Sequence, residues 1–263
     1  MTNRRLARPL VVLAVCGLLC TVIAACGGNR KPAATDAAQP DKFLLDRGNE
    51  ALQKKQWLNA REYFRQVVDN YPQSPFRPDA KLGIGESFLG EGSAESLVLG
   101  ASEFREFLTF YPTSLKADQA QYRLAMSHFQ QMRAPERDQS ETREALKEFQ
   151  AFFDRFPNSP LLPEVRQKWR IARDRLSAAS FRVGQHYFRT RWYPGAVDRF
   201  REVLKDDPEY GGRDGIYFYL AESLVRTEKK AEAVPYFERL LAEFPQSEFA
   251  EETQKRLKEL KAQ

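Results

Sequence analysis

The sequence predicts an all-α fold, a tetratricopeptide-like α-solenoid of five irregular helix pairs followed by a C-terminal capping helix. Three observations predict it. A phrase of an aromatic residue, a proline and a serine recurs along the chain, apolar residues precede it at helical spacing, and small residues precede those. Because one helix pair cannot bury its own apolar face, such repeats stack side by side and leave a curved surface.

The recurring phrase marks the end of a helix. It reads YPQS at 71–74, YPTS at 111–114, FPNS at 156–159 and FPQS at 244–247, with a fainter version, DPEY, at 207–210. The residue before a proline is pushed out of the helical region, so we expect a helix to end at each phrase. The serine two residues later is well placed to cap the next helix.

The second helix of each pair carries the strongest pattern. A phenylalanine stands eight residues before each of the five prolines, and an alanine or glycine stands twelve residues before it. Apolar pairs stand four and five residues before, and these offsets share one helical face. The residues predicted to be buried are Phe64, Phe104, Phe149, Phe200 and Phe237, with the small residues Ala60, Gly100, Ala145, Ala196 and Ala233.

The first helix of each pair is placed by a small residue twelve positions further upstream. Gly48, Gly184 and Ala221 stand there in repeats one, four and five, and this spacing resembles the tetratricopeptide repeat. Repeats two and three fit near Gly85 and Ala125. In these two, the stretches 89–96 and 130–141 are expected to lengthen the connection to the second helix.

Two further helices complete the prediction. The proline spacings of 40, 45, 51 and 37 residues show an irregular array, and the longest contains 161–188, which has no internal proline or glycine from 164 to 183. We expect one long helix there, or two stacked end to end, between repeats three and four. The charged segment 247–263 is expected to form the capping helix.

The N-terminal segment has the pattern of a secretory signal peptide. Three arginines precede an apolar run at 10–25, as in a secretory signal. The phrase Ile23-Ala24-Ala25-Cys26 resembles the lipobox of bacterial lipoproteins, in which the cysteine takes a lipid. An ordinary secretory signal, or an uncleaved anchor with an incidental cysteine, is the alternative. The predicted organisation is a signal peptide at 1–25, a lipidated Cys26 and flexible tether at 26–40, and the repeat domain at 41–263.

Composition narrows the function. Two of the 3 cysteines leave with the leader, which argues against a disulfide framework, a cysteine metal site and a cysteine nucleophile. Removing three leader arginines lowers the formal net charge from +5 to +2, so nucleic-acid binding is not expected. His128 and His186 read as core or groove lining, and we find no catalytic motif, so the sequence predicts a non-enzymatic protein with no cofactor and no metal.

The resemblance to tetratricopeptide proteins implies a groove lined by the first helices. Some inward-facing residues must be core between repeats, but as a set they suit an apolar, extended peptide bound with micromolar affinity. In repeats one to three the inward positions are Leu45, Asn49, Leu52, Leu82, Glu86, Leu89, Tyr122, Met126 and Phe129. In repeats four and five they are Phe181, Gln185, Phe188, Phe218, Glu222 and Val225.

Two segments carry a more specific resemblance. They are 136–160, with Arg137-Asp138-Gln139 ahead of a second helix, and 174–204, with Tyr187, Tyr193 and Arg199-Phe200. With the lipobox, the tether and the repeats, they resemble the YfiO (BamD) family of lipoproteins of the β-barrel assembly machinery, over about 10–263. Two departures, Asp207 in place of an aromatic residue and the stretch 209–215, put the geometry of the last repeat in question.

The resemblance implies a location and partners. It implies an outer-membrane lipoprotein, anchored by lipid on the periplasmic face, that binds BamA, a protein with POTRA domains and a barrel, and leaves open other Bam lipoproteins. It implies that the N-terminal repeats receive unfolded outer-membrane proteins through a C-terminal β-signal. The expected BamA contacts are Phe181, Gln185, Phe188, Arg199, Phe218 and Glu222.

Two other functions remain as alternatives. One is a tetratricopeptide adaptor lipoprotein of the Tol-Pal or cell-wall machinery, similar to CpoB. CpoB-like chains usually carry an N-terminal coiled coil, whereas 27–42 has no heptads. The other is a lipoprotein enzyme of the cell wall, for which the sequence offers no catalytic constellation.

Overall fold

The computed structural model describes residues 39–262 and is helical throughout that range, with no strand. The signal peptide, Cys26 and the tether up to residue 38 lie outside the described residues. The eleven helices are α1 (Pro40–Gln53), α2 (Trp57–Asn70), α3 (Arg77–Glu91), α4 (Ala94–Phe110), α5 (Ala117–Phe129), α6 (Ser140–Arg155), α7 (Leu162–Arg189), α8 (Tyr193–Asp206), α9 (Arg213–Arg226), α10 (Lys230–Glu243) and α11 (Ala250–Lys261).

These helices form five pairs and a cap, as predicted. Each helix packs against the next one along the chain, from α1 to α11. The first helices of neighbouring repeats also contact each other, α1 with α3, α3 with α5, α5 with α7 and α7 with α9, whereas the second helices make no comparable contact. The first helices therefore lie on the tighter, inner side of the solenoid, and the second helices lie outside.

The buried face of the second helices is confirmed. All five predicted phenylalanines are fully buried, and so are the four alanines predicted beside them. The close approach of the paired helix is confirmed as well, since a Cβ added at Gly48 or Gly184 would collide with the ring of Phe64 or Phe200. The pattern thus fixes which face of each second helix meets its partner.

The connections agree with the prediction in part. α7 is one continuous helix of 28 residues, and the connection at 130–139 is long. The expectation for 89–96 was wrong, because only two residues, Gly92 and Ser93, separate α3 from α4. Gly92 adopts a φ of 72°, which favours glycine, and Ser93 caps α4 by accepting from the backbone N–H of Ser96. The extra residues lengthen the helices instead of the turn.

The serines of the recurring phrase do not cap the next helix, so that expectation was wrong. Ser74 lies two residues before the N-cap, where its hydroxyl accepts from the backbone N–H of Phe76 at 3.1 Å. It also donates to the carboxylate of Asp41 in α1 at 2.7 Å. Ser159 with Asp118 and Ser247 with Asp214 repeat this bond, so the serine ties the end of a repeat to its own first helix.

The expected disturbance around Asp207 was also wrong. α9 and α10 are 14 residues long, as are α1 and α2. Asp207 is buried and accepts from Ser177 at 2.5 Å and from the guanidinium of Arg170 at 2.9 Å. Ser177 stands 31 residues before Pro208, as Asp41 does before Pro72. In repeat four the serine therefore comes from the first helix, and the aspartate stands three positions before the place of the usual serine, now occupied by Tyr210, so the tie is kept with the two roles reversed.

The cap completes the solenoid. α11 packs on α10 and buries Leu257 and Thr253, with Leu260 partly buried beside them, while most of its other positions are polar, as predicted for a capping helix. Within residues 39–262 no helix has both the length and the apolar character needed to cross a membrane.

Candidate peptide-binding and partner-binding surfaces

The inner side of repeats one to three offers less open surface than the sequence suggested. Leu45 is 8% exposed, Leu82 3% and Tyr122 4%, because each packs between neighbouring helices. Leu89 is buried in the same way. These side chains form the core between repeats and present little area to a ligand.

Two inward residues join one first helix to the next. Glu86 in α3 accepts from the side-chain amide of Gln119 at 2.7 Å and from Arg123 Nε at 3.3 Å, both in α5. The Tyr122 hydroxyl in α5 donates to Glu164 in α7 at 2.6 Å. Burial, followed by this bond to Glu164, raises the pKa of Tyr122 above the range of ordinary tyrosines. These contacts set the spacing of the inner face.

Besides Glu86, four of the predicted groove residues keep accessible surface. Asn49 is exposed, and Leu52, Met126 and Phe129 are half-buried. Phe129 packs edge-on against the buried Phe149, with ring centroids 6.2 Å apart. The ammonium of Lys168 in α7 lies 5.6 Å from the Phe129 ring centroid. The inner face thus combines apolar side chains with the amide of Asn49 and a lysine ammonium.

The C-terminal half carries an aromatic cluster on the inner side. Phe181 lies 6.0 Å from Tyr219, and Phe188 lies 5.2 Å from it, measured between ring centroids. Phe218 stacks on Phe249 at 4.8 Å, which links α9 to the start of the cap. The expected partner-binding residues Phe181, Phe188 and Phe218 are therefore brought together into one half-buried surface.

Tyr219 is the member that the sequence reasoning missed. It contacts Phe181, Phe188, Phe218 and Phe249 and so lies at the centre of the cluster. The inward stripe does not include its position, but the three consecutive aromatic residues at 217–219 were a signal that could have found it.

The polar positions of the C-terminal half differ from one another. Glu222 is only 7% exposed and accepts from Arg256 of the cap at 2.5 Å, so it is a tie between helices. Gln185 is half-buried on α7. Arg199 is half-buried on α8 and forms an ion pair of 2.7 Å with Glu202 in the same helix. Of these residues, Gln185 and Arg199 retain accessible polar surface.

The two histidines have different surroundings. His128 is buried, with Arg105 Nη2 2.9 Å from Nε2 and Glu141 2.7 Å from Nδ1. Since a guanidinium only donates, Nε2 must accept and Nδ1 must donate to Glu141. His128 therefore bridges α4 and α6, while His186 is exposed. Within the part of the chain that the structure describes, no group of three metal-ligating side chains comes together.

Comparison with known families gives two matches. The model of the YfiO family, described as outer membrane lipoprotein, matches residues 37–223. A tetratricopeptide repeat model matches residues 216–247, which include α9 and α10. Together they account for all five repeats.

Several curated relatives share one name, outer membrane protein assembly factor BamD. The protein from Caulobacter vibrioides is 27% identical over 75% of this chain and 64% of its own length. The protein from Rickettsia prowazekii is 25% identical over 93% of this chain and 94% of its own length. The protein from Vibrio cholerae is 23% identical over 65% of this chain and 73% of its own.

Among solved structures, the complex of the TPR2AB domain of yeast Sti1 with pHSP90 aligns with 78% of each chain, at 14% identity and a TM-score of 0.46. At that TM-score the likeness carries no argument about this chain.

Proposed function

The chain belongs to the YfiO family of outer membrane lipoproteins, and from this we propose that it is an outer membrane protein assembly factor that acts as a non-enzymatic scaffold. The match over residues 37–223 is the observation that carries the proposal. The shared name of the curated relatives supports it. The alternative adaptor and cell-wall functions receive no such support.

A lipid anchor on Cys26 would hold the scaffold at the periplasmic face of the outer membrane. Residues 27–40 would then form the tether between the lipid and α1, with a reach of roughly 45 Å when fully extended. α1 begins at Pro40, one residue earlier than the expected domain boundary. This part of the proposal rests on the sequence, since Cys26 lies outside the described residues.

The N-terminal repeats would receive unfolded outer-membrane proteins. Besides Glu86, the accessible inner residues there are Asn49, Leu52, Met126 and Phe129. An extended strand with alternating apolar side chains and a terminal aromatic residue suits this surface. Every second side chain of such a strand points to the same side, where it can contact the apolar side chains of the inner face. Burying one aromatic side chain contributes on the order of 2 kcal/mol, so a few such contacts give releasable binding.

The C-terminal repeats would bind the BamA-type partner, a barrel protein with POTRA domains. The aromatic cluster of Phe181, Phe188, Phe218 and Tyr219 supplies half-buried apolar area. Arg199 adds a partly exposed cation, since its side chain is 34% exposed. Aromatic residues and arginine are the side chains enriched at energetically dominant interface positions.

Site-specific photo-crosslinking in cells tests both halves of the proposal. A photoreactive amino acid at Met126 or Phe129 is expected to crosslink to outer-membrane proteins during their synthesis, and one at Phe188 to a POTRA-containing barrel protein. The control position is Arg65, which is exposed on the outer helix α2. The proposal fails if the inner positions give the same products as Arg65.

A further inference from the structure

A cleft beside α7 is lined by none of the residues proposed above to contact clients or the barrel partner. It has a volume of about 700 Å³ and runs between the long connection at 130–139 and the second half of α7. Its floor is apolar, because Leu176, Ala179 and Val183 follow one another along one face of α7. Val183 is 39% exposed, so this floor is open to a ligand.

The walls of the cleft are strongly basic. Four arginines line it: Arg137 and Arg143 from the connection and α6, and Arg182 and Arg189 from α7. Among residues 39–262, the side chains of Arg137, Arg143 and Arg189 have no ion pair and no hydrogen bond. The guanidinium groups of these three arginines are therefore without an ion-pair partner, whereas Arg182 on the α7 wall is paired with Glu136.

The neighbouring carboxylates are already engaged. Asp138 accepts from Ser140 at 3.0 Å, and Glu141 is held by His128 at 2.7 Å. Glu136 contacts Arg182 Nε at 3.1 Å, with both side chains more than half exposed. An exposed ion pair of this kind is weak and exchanges readily with other ligands. It also shows that a carboxylate fits against this wall.

We propose that this cleft binds an extended acidic segment of a partner protein, with its carboxylates on the arginines and its alternate apolar side chains on the floor. From residue 176 to residue 189, α7 rises about 20 Å, which matches about six residues of extended chain. Guanidinium groups bind carboxylates with two parallel hydrogen bonds, which gives the contact its direction. A bilayer surface is disfavoured, because the cleft has walls on both sides and a flat surface cannot reach its floor.

The test uses the full-length protein in nonionic detergent and a fluorescent eight-residue peptide of alternating glutamate and leucine. Fluorescence anisotropy is expected to show saturable binding that weakens as salt is raised from 50 to 500 mM, since salt screens exposed charges. A peptide with glutamine in place of glutamate is expected to lose the binding. An all-glutamate peptide is expected to bind more weakly than the alternating one, because it cannot use the apolar floor.

Two double variants make the site assignment testable. Arg143→Gln with Arg189→Gln removes two unpaired cations from the cleft and is expected to weaken peptide binding about tenfold. Arg65→Gln with Arg166→Gln removes the same charge from exposed arginines outside it and is expected to leave binding within twofold. Circular dichroism confirms that both variants are folded.

Three results would overturn the proposal. The first is no binding of the alternating peptide up to about 1 mM. The second is equal weakening by both double variants, which would indicate a diffuse charge effect. The third is flotation with phosphatidylglycerol vesicles that depends on Arg143 and Arg189 while the peptide does not compete, which would assign the cleft to lipid phosphates.

Discussion

At the scale of single residues, Asp207 is the most consequential departure from the repeat. Its carboxylate is 3% exposed and faces Arg170, Arg173 and Ser177 of the long helix. A buried carboxylate with two cationic neighbours is stable only as a complete group, because removing one partner leaves buried charge without compensation. The tie between α7 and the end of α8 therefore depends on this side chain, together with the bond from Arg173 to the backbone carbonyl of Asp206.

We expect Asp207→Asn to lower the free energy of unfolding by about 2–4 kcal/mol, because the arginines then face an uncharged amide. Urea denaturation followed by circular dichroism measures the change. Glu202→Gln is the matched control, since it removes the carboxylate partner of Arg199 from an exposed ion pair. The control is expected to cost less than about 1 kcal/mol. Equal losses in the two variants would contradict the role given to Asp207.

The same carboxylate predicts a pH dependence. Burial by itself raises the pKa of Asp207, but the hydrogen bonds from Arg170 and Ser177 outweigh it and hold the pKa below its ordinary value. A depressed pKa in the folded state stabilises the protein above the unfolded pKa of about 3.9. That stabilisation is lost as the pH falls through the folded pKa.

The difference in unfolding free energy between the wild type and Asp207→Asn should therefore be constant from about pH 6 to 8. It should narrow below about pH 4, where the carboxylate of the unfolded chain is protonated. Urea titrations at several pH values measure it. A difference that grows on acidification would mean that folding raises the pKa of Asp207, which would contradict its pairing with the arginines.

At this scale the sequence was informative for apolar residues and poor for polar ones. The spacing before each proline predicted Phe64 and its four equivalents, because a buried aromatic side chain needs one helical face and nothing else. It did not predict that Ser74 would bond Asp41, or that Ser177 and Asp207 would exchange these roles. Such bonds join residues about 30 positions apart, and local periodicity does not record them.

At the scale of elements, the helix pairs of repeats one and four depend on contact between a glycine and a phenylalanine ring. Gly48 in α1 faces Phe64 in α2, and Gly184 in α7 faces Phe200 in α8. Both rings are fully buried and have no room to retreat. The two helices can approach this closely because the first helix carries no Cβ at the contact.

We expect Gly184→Ala to destabilise the protein by about 1–3 kcal/mol, because overpacking outweighs the gain of about 1 kcal/mol in helix propensity. Gly48→Ala should behave alike. Gly211→Ala is the control, since a Cβ there meets nothing within 4 Å, and its effect should stay within about 0.5 kcal/mol. Thermal unfolding measures all three. Stabilisation by Gly184→Ala would show that the ring of Phe200 does not pack tightly against Gly184.

The elements themselves were largely predictable, and the exceptions have a physical cause. The absence of proline and glycine from 164 to 183 predicted one long helix or two stacked end to end, and α7 is the first of these. The connection at 130–139 is long, as expected. The expectation of a long connection at 89–96 was wrong, because two glycines within three residues are typical of a loop. Gly90 is helical beside the ring of Trp57, and only Gly92 has the positive φ that ends α3. The sequence alone did not distinguish a packing glycine from a terminating one.

At the scale of the whole molecule, the solenoid separates three surfaces. The inner side of the N-terminal repeats is proposed for clients, the aromatic cluster of the C-terminal repeats for the barrel partner, and the basic cleft for an acidic segment. The bond between Glu86 and Gln119 holds α3 against α5, and the bond between Glu222 and Arg256 holds α9 against the cap. Because each repeat contacts chiefly its neighbours, a local change in one surface should leave the others intact.

The groove was the least predictable part at this scale. The inward stripe named the correct face, but it did not separate residues that join repeats from residues that remain open. Leu82 and Tyr122 are buried between helices, whereas Met126 and Phe129, in the same stripe, keep surface. The difference depends on how closely α5 meets α3 and α7, which is a property of the stacked array.

The central claim is that the protein is an assembly scaffold that holds a barrel partner. The most direct test is purification of the full-length lipidated protein, tagged at Gln263, in gentle detergent, with mass spectrometry of what accompanies it. We expect a POTRA-containing barrel protein in stoichiometric amount, reduced severalfold by Arg199→Ala and unchanged by the control Arg65→Ala. Recovery of Tol-Pal or peptidoglycan-associated proteins without any barrel protein would contradict the account and favour the adaptor function.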